Sequence, residues 1–72
     1  MMDRMYVESS AIESIGYDTE NAILEVEFKR THAVWQYLDV PENVWYDFQS
    51  SSSLGHYFSV NIRNQYPEVR VN

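Results

Sequence analysis

The chain has no cysteine, so it can build neither a disulfide framework nor a thiolate metal site, and it fits a reducing compartment. Glycine and proline occur twice each, and neither Gly16 nor Gly55 sits in a glycine-rich loop that could cradle phosphate. Bases are scarce: five Lys and Arg stand against eleven Asp and Glu, for a formal net charge of −6. That balance repels phosphate backbones and anionic membranes at long range. Only Lys29, Arg30 and His32 cluster as a basic group in sequence. Long apolar runs are missing as well, and Met1 to Glu8 lack the basic and apolar regions of a signal peptide. A cytoplasmic protein without membrane contact is expected. No His-x-x-x-His pair or calcium-type acidic loop occurs, so neither a metal nor a cofactor is expected.

Aromatic residues are plentiful. They make up 15% of the 72 residues, and large rings compensate for the small core of a chain this short. The stretch from Trp35 to Phe48 alone carries both tryptophans. Around it the chain reads as a single domain, ordered from about Val7 to Pro67, with residues 1 to 6 a frayed lead-in.

Ser9 to Tyr17 reads as a first strand. Ile12 falls out of phase with Ala11, Ile15 and Tyr17, which suggests a bulge or bend near Ser14 and Gly16. Asp18 to Asn21 is a hairpin connection. Ala22 to Lys29 then alternates strictly, with Leu24, Val26 and Phe28 facing the core and Glu25, Glu27 and Lys29 facing water. After the turn Lys29 to His32, Ala33 to Val40 returns as a third strand. Asp39 and Glu42 have the spacing of a capping box for a helix ending near Gln49, with Val44, Trp45 and Phe48 on its inner face. Ser50 to Ser53 interrupt it. A second helix is expected from Leu54 to Gln65, with Leu54, Tyr57, Phe58, Ile62 and Tyr66 inward, stopped by Tyr66-Pro67. The expected fold is α+β: a three-stranded antiparallel meander followed by two helices packed on one face.

These residues resemble a known family. Val7, Ser9-Ser10, Ile12 and Ile15 to Asp18, then Trp35-x-Tyr37-x-x-Val40-Pro41, Val44-Trp45, Ser53-x-Gly55-x-Tyr57-Phe58, Ile62-Arg63 and Tyr66-Pro67 are similar to the KTSC domain. That module occurs at the C-terminus of some lysyl-tRNA synthetases and as small stand-alone bacterial proteins, and the resemblance implies RNA as a partner. The chain departs from the family pattern at Trp35, where tyrosine is usual, at Thr31, where glycine is usual, at Ser59 in place of asparagine, and at His56 in place of a base.

Trp35 and Tyr37 have two readings. Exposed on an open sheet face they would stack unpaired bases. Set between them, Gln36 belongs in water, which turns both rings toward the helices and into the core with Leu24, Val26, Phe28, Val44, Trp45, Phe48, Tyr57, Phe58 and Ile62; this is the reading adopted. Candidate binding residues are then Arg63, His56 and Asn61 on the outer face of the second helix, with Asn64 and Gln65, and Lys29 and Arg30 in the turn. Arg63 can make a forked contact to phosphate or carboxylate, or pair with an acid such as Asp47. His32 and His56 are the histidines available to a hydrolase, and no serine lies in a nucleophile-elbow sequence, so no catalytic residue is assigned. The expected function is a non-catalytic binding module for RNA, with binding that weakens steeply in salt. The alternative is a protein-interaction module that self-associates through an edge strand or exposed aromatics.

Overall fold

The alternating run that begins after Ala22 lies at the centre of an antiparallel sheet. In the computed structural model, which describes residues 2–72, five strands pair in chain order: β1 (Met5–Tyr6), β2 (Ile12–Asp18), β3 (Ile23–Phe28), β4 (Val34–Tyr37) and β5 (Glu68–Arg70). Between β4 and β5 the chain forms α1 (Glu42–Gln49) and α2 (Leu54–Tyr57), which runs on as a π-helical turn over Phe58–Ile62. The α+β class and the antiparallel sheet with two helices stand. The three-stranded meander does not: two further strands close its sides, both outside the stretch from Val7 to Pro67. Segments of two and three residues are too short for an alternating pattern to register.

β2 contains a bulge. Ile12 lies opposite Phe28 and Ser14 opposite Glu27, so Glu13 is an extra residue with no partner of its own. The insertion puts Ile12 and Ile15, three apart and both fully buried, into one core. They pack with Leu24, Val26 and Tyr37 of the sheet against Phe48, Leu54, Phe58 and Ile62 of the helices. Phe28, Trp35, Val44, Trp45 and Tyr57, expected in the core, are partly buried and pack against its margin. One helical layer on a small sheet cannot enclose so many large rings. The rings at the margin instead lean on one another. Trp45 stacks on Tyr17 at 5.5 Å and 9°, and Tyr57 stacks on Phe48 at 5.7 Å.

Asp39 is not the cap of α1. It adopts φ 61, and the cap position belongs to Pro41, with no side-chain cap bond. The left-handed turn at Asp39 breaks the alternation after Tyr37 and drops Val40 fully into the core, where its carbonyl accepts from the Tyr17 hydroxyl. The second helix also stops early, at Ile62 rather than Gln65. Asn64, at φ 64, turns the chain back toward the sheet.

The face of β3 expected to be wet is covered. Glu25 is only 6% exposed, because Arg4 reaches across the back of the sheet and pairs with its carboxylate. The Arg4 Nε donates to Ser14 Oγ (2.9 Å), Ser14 Oγ donates to Glu27 Oε1 (2.8 Å), and Gln36 Nε2 donates to Glu25 Oε1 (2.9 Å). Gly16 makes room for this strap: a Cβ there would lie 2.5 Å from the Asp3 carbonyl oxygen. Of the expected frayed lead-in, Met1 lies outside the described residues, while Met5–Tyr6 pair in the sheet and Arg4 is held by a charge network that alternation in the strands does not reveal.

Candidate functional site

The π-helical turn shapes a cleft at the end of the second helix. An extra residue within the turn lets the Arg63 N–H donate to the Phe58 carbonyl five residues back, at 2.9 Å. Arg63 itself has left helical geometry (φ −59, ψ 128), and Asn64 follows in the left-handed region. Both residues therefore leave the outer helix face on which the sequence placed them and stand at the rim of a cleft of about 390 Å³.

The opposite wall comes from the sheet. β5 pairs with β4 so that Glu68 lies opposite Tyr37 and Arg70 opposite Trp35, and opposed residues of an antiparallel pair share a face. Trp35 and Tyr37 consequently face the helices, and the back of the sheet belongs to Glu25 and Gln36. The cleft is floored by Phe28, Trp35, Tyr37 and Phe58, while Arg63, Asn64 and Glu68 supply its polar groups. Phe58 fixes the floor by edge contacts to Phe28 (5.3 Å, 71°) and Tyr37 (5.4 Å, 75°). Tyr37 and Phe58 are buried, whereas Phe28 and Trp35 are partly buried and line the cleft.

Electrostatics in the cleft follow from this packing. Burial, reinforced by the nearby Glu68 carboxylate and opposed by Arg63, pushes the Tyr37 hydroxyl up to about 12. It is a protonated phenol at any physiological pH. Arg63 makes no ion pair with Asp47; among the described residues the salt bridges are those of Arg4 with Glu25 and Glu27. The exposed Arg63 guanidinium keeps its donors for a ligand. An aromatic floor with one cation, one carboxylate and one amide at its rim suits a planar ligand with polar edges.

The other candidate residues lie elsewhere. His56 is exposed in a depression with Glu8 and several serines of the Ser9 and Ser52 neighbourhoods. Residue types of a hydrolase meet there, but the bond joining His56 to a serine is a helix cap, its backbone N–H donating to Ser53 Oγ at 3.3 Å. Among the described residues no imidazole nitrogen is hydrogen-bonded to a serine hydroxyl, the geometry a nucleophile and its base require. Asn61 is exposed and its amide donates to the Tyr57 carbonyl (3.3 Å). Lys29 and Arg30 are exposed on the β3–β4 turn, where His32 takes φ 59, and they do not line the cleft. A larger depression of about 550 Å³ crosses the back of the sheet, where Arg4 and Glu25 are already paired with each other. Sequence reasoning missed Glu68, because the alternation of Val69 and Val71 after Pro67 is too short to establish a strand by itself.

The model of the KTSC domain matches residues 8–66. An uncharacterized protein of Stutzerimonas stutzeri (strain A1501) is 41% identical over 58 residues, covering 81% of this chain and 80% of the relative. The crystal structure of the KTSC domain protein YPO2434 from Yersinia pestis superposes with a TM-score of 0.95 at 38% identity, over the whole of both chains. Among the described residues no helix is long and apolar enough to cross a membrane.

Proposed function

The chain belongs to the KTSC domain family, and from that premise we propose that it is a non-catalytic module that binds single-stranded RNA through the aromatic cleft. One observation carries the reading: partly buried Trp35 lines a cleft of about 390 Å³ together with the exposed Arg63. An unstacked base inserts against Trp35 and Phe28, and Arg63 offers a donor fork to the base edge or to a phosphate oxygen. Stacking is compatible with an acidic protein, because it depends on ring surface rather than on net charge. This moves the interface away from the outer helix face and the Lys29-Arg30 turn, and keeps Arg63.

The test exploits the chain's two tryptophans. Trp45→Phe leaves Trp35 as the sole indole reporter. Addition of a short single-stranded RNA is expected to quench its fluorescence saturably, and Trp35→Ala is expected to weaken binding by about 1 to 3 kcal/mol, the contribution of one base–aromatic stack. Absence of binding at low salt, together with a mass in sedimentation that rises with concentration, would replace this reading with self-association.

A further inference from the structure

We infer that the cleft selects guanine, with Glu68 as the residue that reads the base. This rests on the reading of the cleft as an RNA site and adds to it the identity of the nucleotide. Glu68 and Arg63 line the same cleft, the first an acceptor-only carboxylate and the second a donor-only guanidinium. A bound base must therefore present donors along one part of its edge and acceptors along another.

Guanine does so in adjacent pairs. Its N1–H and N2 amino group match the two oxygens of a carboxylate, and its O6 and N7 match the two-pronged guanidinium. Uracil offers a single N–H flanked by two carbonyl oxygens, which repel a carboxylate. Adenine and cytosine each set one amino group beside an acceptor, a pattern that the Asn64 amide at the rim can meet, but neither offers the adjacent pair of donors that both oxygens of Glu68 take. The ring faces of Trp35 and Phe28 accept any base, so preference has to come from the rim. The register that sets Glu68 opposite Tyr37 fixes the carboxylate on the ring side of the sheet.

The test measures binding of oligouridylates that carry one central guanosine, inosine, adenosine or cytidine, or none. Guanosine is expected to bind roughly tenfold tighter than uridine alone, within the discrimination of a bidentate base contact. Inosine, which lacks the 2-amino group, is expected to lose most of that gain. Glu68→Gln is expected to lose the guanosine preference, so that guanosine and uridine oligonucleotides bind it alike. Circular dichroism checks that this exposed position on β5 leaves the fold intact. Equal binding of all the oligonucleotides, a preference for adenosine or cytidine, or a guanosine preference that survives Glu68→Gln would overturn the guanine assignment while leaving the RNA site in place. Failure of every oligonucleotide to bind would overturn the RNA reading itself.

Discussion

At the scale of single residues, the chain's few bases do separate work. Arg4 neutralises Glu25, whose side chain is 8% exposed against 30% for its partner. Removing the arginine leaves a nearly buried carboxylate without its charge partner, so Arg4→Ala is expected to destabilise the fold by about 1 to 3 kcal/mol. Adding Glu25→Gln should recover part of that loss, since a neutral amide is cheaper to bury, and urea unfolding of the two single variants and the double variant measures the coupling. Tyr37 makes a prediction at the other end of the pH scale. Its hydroxyl is raised in the folded protein to about 12 from an ordinary value of 10.0. Between those values the unfolded chain has released the proton and the folded one still holds it, so stability is unaffected below pH 10 and falls as pH climbs toward 12. Tyr17 and Tyr57 shift in the same direction. Thermal melting across that range should therefore decline with rising pH, and Tyr37→Phe should blunt the decline. An unchanged slope in the variant would place the sensitivity on other groups.

At the scale of elements, what was legible followed periodicity, and what was hidden followed contacts made far along the chain. Leu24, Val26 and Phe28 announced β3 because one face of a central strand must be apolar. Ile12 announced the bulge by being out of phase. Gln36 correctly turned Trp35 and Tyr37 toward the helices. β1 and β5 could not be read, since each is held by a partner rather than by its own pattern: β1 by pairing with β2 and by Arg4, β5 by β4. The early end of the second helix was equally invisible, because the insertion of a π turn changes no residue type. These two unread features, β5 and the π turn, set Glu68 and Arg63 on one cleft, which is why the sequence offered Arg63 and Asn64 as polar candidates and the rings as core without joining them. Ending the chain at Pro67 tests the role of β5. The Trp35–Tyr37 edge of β4 would lose its partner, and the Leu38 N–H would keep its bond to the Pro67 carbonyl, now at the chain end. The truncated protein is expected to melt lower and to self-associate through the bared edge, seen as a sedimentation coefficient that rises with concentration. A monomer of unchanged melting temperature would show that β5 contributes little to the sheet.

At the scale of the whole molecule, the question is how a chain of net charge −6 can hold a polyanion. A basic patch built from Arg63, Lys29 and Arg30 would neutralise several phosphates, and log K would then fall against log salt with a slope near about −2 for single-stranded RNA. Of these three groups Arg63 alone lines the cleft among the described residues. One phosphate neutralised by Arg63 gives a slope of about −0.7. The remaining field works the other way. Acidic side chains over the surface repel the strand at low ionic strength, and salt screens that repulsion once the Debye length shrinks to about 10 Å near 0.1 M. The two effects oppose, so affinity is expected to be nearly flat in salt, in contrast to the steep fall that the sequence suggested. Titrations at several salt concentrations decide between the interfaces. A slope near zero fits base recognition in the cleft, whereas a slope of about −1.4 or steeper would relocate binding to the Lys29-Arg30 turn. Neutralising that turn with Lys29→Gln and Arg30→Gln provides the control, because it should leave a cleft-bound oligonucleotide almost unaffected and abolish one held on the turn.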